Sequence, residues 1–120
     1  MLNFNSVLIT SENPSQLVDF YKKILQKDVE WTGGNFHAFQ AGVGGLVIGP
    51  HDQVKGKNPN PPRMMLNFAT DDVEGEFQRI KDLGVTVIAE PYEPMEEAEG
   101  WIATFEDPDG NYFQLMTPYK

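Results

Sequence analysis

Any chemistry in this 120-residue chain has to come from a narrow set of side chains. It has two histidines, eighteen Asp and Glu against nine Lys and Arg, and no cysteine. Without cysteine there is no disulfide, no thiolate metal site and no thiol nucleophile. His37 falls on an expected strand and His51 opens a linker-like stretch. One arrangement joins them with Asp52 or a nearby Glu as a His–His–carboxylate site. The other leaves one packed and the other solvated, and their contexts favour the second. Ser6, Ser11 and Ser15 lie outside any GxSxG elbow and have no histidine at motif spacing, so nucleophilic catalysis has no support. The run from Gly42 to Gly45 is glycine-rich, but it lacks the Lys and the strand-to-helix context of a phosphate cradle and reads as a hairpin turn. Glu90, Glu93, Glu96, Glu97 and Glu99 crowd the stretch before Trp101. An acidic lip beside an aromatic wall attracts a planar cation by field and stacking. The plainer alternative is a solvated acidic loop.

The net charge of −9 argues against a nucleic-acid or anionic-membrane surface, which both require concentrated Lys and Arg. Apolar content of 40% is that of a globular protein, and 120 residues suffice for one domain with a modest core. No basic and apolar leader follows Met1, and no run of about 18 apolar residues occurs, so the expected location is the cytoplasm.

Those side chains have to be positioned by short elements. Leu2 to Thr10 alternates as a strand, and Asn13-Pro14 starts a helix that ends near Gln26. Short strands are expected at Val29 to Trp31, Phe36 to Gln40 and Leu46 to Ile48, with tight glycine turns implying antiparallel pairing. His51 to Arg63 is Pro-rich, without periodicity, and divides the chain almost in half. Met64 to Thr70 is then a strand, and Asp71 or Asp72 caps a helix; with Asp71 as the cap, Glu74 takes capping-box spacing. The buried stripe of that helix is Val73, Phe77, Ile80 and Leu83, and Gly84 ends it. Gly75 inside it is a weak point, costing about 1 kcal/mol relative to Ala. A strand at Val85 to Ala89 precedes the acidic stretch. Two closing strands, Ile102 to Phe105 and Tyr112 to Met116, flank the turn Asp107-Pro108-Asp109-Gly110-Asn111.

The two halves superpose at a shift of 59 residues, which carries Val18 onto Phe77, Tyr21 onto Ile80 and Ile24 onto Leu83. The expected fold is therefore α+β: two βαβββ modules, about residues 1–55 and 62–120. Together they would form one curved mixed sheet with a concave cleft and helices on the outer face.

Asp19-Phe20-Tyr21-Lys22, Asp71-Asp72-Val73 and Phe105-Glu106-Asp107-Pro108-Asp109-Gly110-Asn111 carry a resemblance to a known family. The chain resembles the vicinal oxygen chelate superfamily, which holds glyoxalase I, extradiol dioxygenases and bleomycin-resistance proteins. That resemblance implies paired βαβββ modules, frequent homodimers and, in metal-dependent members, ligands from the first and last strand of each module. In this chain those places hold Ser6, a residue near Val47 to Gly49, Met65 and Gln114. A divalent ion of this type takes imidazole or carboxylate, and these positions supply neither. Metal: none is the expectation, with no other cofactor.

On a period of two, one face carries Phe4, Ser6, Leu8, Met65, Asn67, Tyr112, Gln114 and Met116, with Trp31, Phe39 and Trp101 adding to its walls. Apolar and aromatic groups with a few polar ones make a small-molecule pocket. A filled interior or a dimer interface would use the same residues. The reading that follows is a metal-free homodimer that sequesters a small aromatic or cationic molecule, oriented by Asn67 and Gln114. The alternative is a metal-dependent lyase, isomerase or dioxygenase of the same superfamily with an altered site.

Overall fold

A computed structural model describes residues 1–95 and 100–119. The chain divides into two compact units, Met1–Gly56 and Lys57–Lys120. In the first, β1 (Ser6–Thr10) leads into α1 (Pro14–Leu25), then β2 (Trp31–Gly33), β3 (Phe36–Ala41) and β4 (Gly44–Gly49). In the second, a 3-10 turn at Pro61–Arg63 precedes β5 (Leu66–Ala69), α2 (Val73–Asp82), β6 (Thr86–Tyr92), β7 (Ile102–Glu106) and β8 (Tyr112–Met116). The expected α+β class and the twice-repeated βαβββ order are both observed. The strand orders are β1-β4-β3-β2 and β5-β8-β7-β6, with the first strand parallel to the last and the other pairs antiparallel.

Each helix covers one face of its own sheet. α1 buries Leu17, Val18, Tyr21 and Ile24, and the sheet answers with Phe39, Leu46 and Ile48, all nearly inaccessible. Each such side chain contributes about 1.5–3 kcal/mol of burial. In the second unit Phe77, Phe105 and Phe113 stack in series, with ring centroids 5.2 and 5.4 Å apart. The 59-residue correspondence holds for Tyr21 with Ile80 and Val18 with Phe77. It fails for Ile24 with Leu83, which is half exposed because the helix stops at Gly84, whose φ is +87°.

Several local expectations need correction. Residues 2–5 are not strand, because β4, the parallel partner of β1, pairs only from Ser6 onward. β2 starts at Trp31 rather than Val29. β6 runs on through Pro91, which an edge strand tolerates, and its register shifts twice against β7. Asn13 sits at the start of α1 without capping it; its own amide donates to Ser11 Oγ at 2.9 Å. Asp72, not Asp71, caps α2 by accepting from the Gly75 amide at 2.9 Å, so Glu74 forms no capping box. Gly75 is consequently not a mere weak point. A Cβ there would overlap the capping Asp72 carboxylate.

Each half of the linker is tied down within its own unit. Glu12 accepts from the Gly56 amide at 3.1 Å. Two residues on, the Asn58 amide donates to the Asp109 carbonyl at 2.8 Å and its side chain to Asn111 Oδ1 at 3.0 Å.

Candidate functional site

The face of each sheet away from its helix is where the expected ligand-binding residues can be placed, and strand register decides which side chains share it. In the first unit Leu8 pairs with Val47, Val47 with Ala38, and Ala38 with Trp31, giving one apolar row across all four strands. Ser6, Gly45 and Gln40 form a polar row on one side of it. Thr10, Gly49, Phe36 and Gly33 form a row on the other. Leu8 and Trp31 are more than half exposed. Phe39 does not belong here. It pairs with Leu46, is 1% exposed and packs on the helix side, so its expected place in the wall is wrong. His37 pairs with Ile48, also on the helix side, and its Nδ1 lies 3.1 Å from Thr32 Oγ1. His51 accepts from the Gln53 amide and stands 3.4 Å from Asp52.

In the second unit Asn67 pairs with Gln114 and Gln114 with Thr104. Gln114 Nε2 donates to Thr104 Oγ1 at 3.0 Å, while Asn67 is exposed beside it. Tyr112 and Met116 share this face, with Glu106 opposite Tyr112. Met65 immediately precedes β5 and is over a third exposed. Phe4 lies ahead of β1 and is almost wholly exposed. Trp101, just before β7, lines a cavity of about 180 Å³ with residues 71–74, Pro91 and Thr117. Its amide donates to Thr117 Oγ1 at 3.0 Å. Asp71 and Glu74 on that wall are exposed carboxylates. Of the acidic stretch, Glu96, Glu97 and Glu99 lie outside the described residues.

Alternation alone does not show which further residues belong to each of these faces. Phe36, Ala38 and Val47 belong to the first unit's face through a register that alternation within one strand does not set. The clue was glycine: a Cβ at Gly33 or Gly49 would overlap the ring of Trp31 or Phe36. Thr104, 5% exposed, is the partner that fixes Gln114.

Charge near β2 is fixed by a small network. Lys27 pairs with the Glu30 carboxylate, which also accepts from the Gln40 amide at 2.7 Å. Those two donors, Lys27 first, hold the Glu30 carboxyl below its ordinary value. The Val29 amide and then Lys22 do the same for Asp28.

The superfamily's divalent ion does not fit these donors. Ser6 offers a hydroxyl, residues 47–49 no ligating side chain, Met65 a thioether, and Gln114 an amide already bound to Thr104. Among the described residues, no three His, Asp or Glu side chains are grouped to share an ion.

No curated protein sequence matches the chain. Solved structures do. A protein described only as a conserved domain protein superposes with a TM-score of 0.80 at 19% identity, covering 98% of this chain and all of that one. A glyoxalase/bleomycin resistance protein/dioxygenase family enzyme from Burkholderia phytofirmans gives 0.76 at 18% identity, covering 97% and 98%. The fosfomycin resistance protein FosX from Listeria monocytogenes gives 0.65 at 20% identity, covering 99% and 93%. The glyoxalase-like domain family matches residues 6–116. With that match spanning both βαβββ units, the chain belongs to the glyoxalase-like family of the vicinal oxygen chelate superfamily.

Proposed function

We propose that this protein is a metal-free, glyoxalase/bleomycin-resistance-like binder that sequesters a small aromatic or cationic molecule, acting in the cytoplasm as a homodimer. The reading is carried by one observation: in the first unit the face away from the helix presents Trp31, Leu8 and Val47 beside the Ser6 hydroxyl, and in the second the corresponding face presents Tyr112 and Met116 beside the Gln114 amide, so that neither Ser6 nor Gln114 is the imidazole or carboxylate a metal site needs. Apolar burial and stacking supply the affinity. A two-ring ligand burying about 200 Å² gains about 5 kcal/mol before the cost of immobilisation. Asn67 and Gln114 orient it through their amides, the Gln114 side chain being held by the bond from its Nε2 to Thr104. The Trp101 cavity, with Asp71 and Glu74 on its wall, supports a cationic group on the ligand.

The test is a titration of purified protein with planar cationic antibiotics, followed by tryptophan fluorescence. Saturable quenching by at least one compound is expected, weakened by Gln114→Ala. A flat response to the whole panel counts against the reading.

A further inference from the structure

One exposed indole dominates the first unit's open face. Trp31 stands on the edge strand β2 and is 58% exposed, although its indole carries a large apolar area. It is nevertheless held in place. Its six-membered ring lies across Gly33, where any Cβ would overlap it. On the adjoining strand Phe36 lies across Gly49 in the same way. Gly33 and Phe36 are cross-strand partners, so both rings run along one row of the sheet. A third glycine of this face, Gly45, would place a Cβ 3.1 Å from that of Ser6. At Gly33 and Gly49 the missing Cβ leaves room for a ring to lie flat on the sheet.

The result is a low, graded surface. The rings of Trp31 and Phe36, with Thr10, form one end, Ala38, Val47 and Leu8 the middle, and Ser6 and Gln40 the other end. Among the described residues, no Asp, Glu, Lys or Arg occupies this face of the four strands; Glu30, next to Trp31, is tied to Lys27 and the Gln40 amide, and the Lys27 ammonium also donates to the Gln40 carbonyl at 2.6 Å. Such a surface matches a flat, uncharged ring system with a polar substituent at one edge. We propose that it is a stacking platform for a planar uncharged aromatic molecule, in which Trp31 determines specificity and Gly33 positions its indole. The proposal deepens the small-molecule reading above and rests on it.

The chain has two tryptophans, so its two indole N–H signals in a ¹H–¹⁵N spectrum report separately on Trp31 and Trp101. The probes are 1-naphthol and its saturated counterpart 1-decalol, matched in size and charge. Naphthol is expected to shift the Trp31 signal, with Trp101 unmoved and decalol binding more weakly. Trp31→Leu, which keeps an apolar side chain but removes the ring, should weaken naphthol about 3- to 10-fold, the range set by one aromatic pair, and weaken decalol less. Gly33→Ala, with the ring displaced, should do the same. Equal shifts from both probes, or a Trp31→Leu variant that binds naphthol as well as the parent, would overturn the platform. A naphthol shift at Trp101 alone would overturn it while leaving the binder reading standing. Movement of neither signal would overturn the platform too, while the binder reading would still be decided by the cationic panel. A Trp31 signal that shifts with protein concentration alone would assign the face to a second copy instead.

Discussion

Two aspartates two residues apart in the β7–β8 turn should behave oppositely on replacement. Asp107 is 4% exposed, and its carboxylate accepts from the Asp109 amide at 2.9 Å, the Asn111 amide at 3.0 Å and Asn111 Nδ2 at 3.0 Å. Its backbone closes the same turn, donating to the Asn111 carbonyl at 2.8 Å. Asp107→Ala leaves two backbone donors without their acceptor. A hydrogen bond to a charged group is worth about 1.5–3 kcal/mol, and the partly exposed Asn111 side chain recovers water, so the expected loss is about 3 kcal/mol. Asp107→Asn keeps an oxygen for the two amides but sets its NH₂ against Asn111 Nδ2, and about 1–1.5 kcal/mol should go. Asp109 is the contrast: its Oδ2 is buried with no hydrogen-bond partner among the described residues. Removing that oxygen in Asp109→Ala should cost less than about 0.5 kcal/mol or stabilise the fold. Urea unfolding followed by far-ultraviolet circular dichroism reads all three, with the m-value unchanged. An Asp107→Ala loss below about 1 kcal/mol, or an Asp109→Ala loss as large as that of Asp107→Ala, would refute the reasoning.

Gly75→Ala in α2 should not yield the stabilisation of about 1 kcal/mol usual for a helix interior, because the new Cβ displaces the Asp72 cap. A rise in melting temperature would contradict this. Glu30, with its folded pKa depressed, stabilises the fold above its unfolded value of 4.5, and that contribution is lost as pH falls through the folded value. Lys27→Met should move the Glu30 midpoint upward in a ¹³C carboxyl titration; an unmoved midpoint would show that Lys27 is not the main cause.

The closing hairpin was legible to the residue at Tyr112–Met116, because Pro108, Gly110 and the flanking Asp and Asn side chains specify their turn locally. The helix faces were legible through their 3.6-residue spacing, up to Leu83, where the stop at Gly84 leaves the last member of the stripe outside. What failed depended on partners distant in sequence. Alternation from Leu2 onward looks like strand, yet only Ser6–Thr10 has β4 beside it. Phe39 looks like a pocket wall until register sets it against Leu46. Gln114 was correctly placed on β8, but its bond to Thr104 exists only once β7 and β8 pair. The glycines under Trp31 and Phe36 read as turn and strand residues, and their use as seats for rings is a property of the folded face.

The most direct test of the central claim, that this glyoxalase-like chain binds its ligand without an ion, is metal content. The protein should be purified without chelators, equilibrated with Mn²⁺, Ni²⁺ and Zn²⁺ in turn, and measured by inductively coupled plasma mass spectrometry after gel filtration. The account predicts well below one ion per chain for each metal, unchanged by Gln114→Ala. One tightly held ion per chain, lost on that substitution, would contradict it.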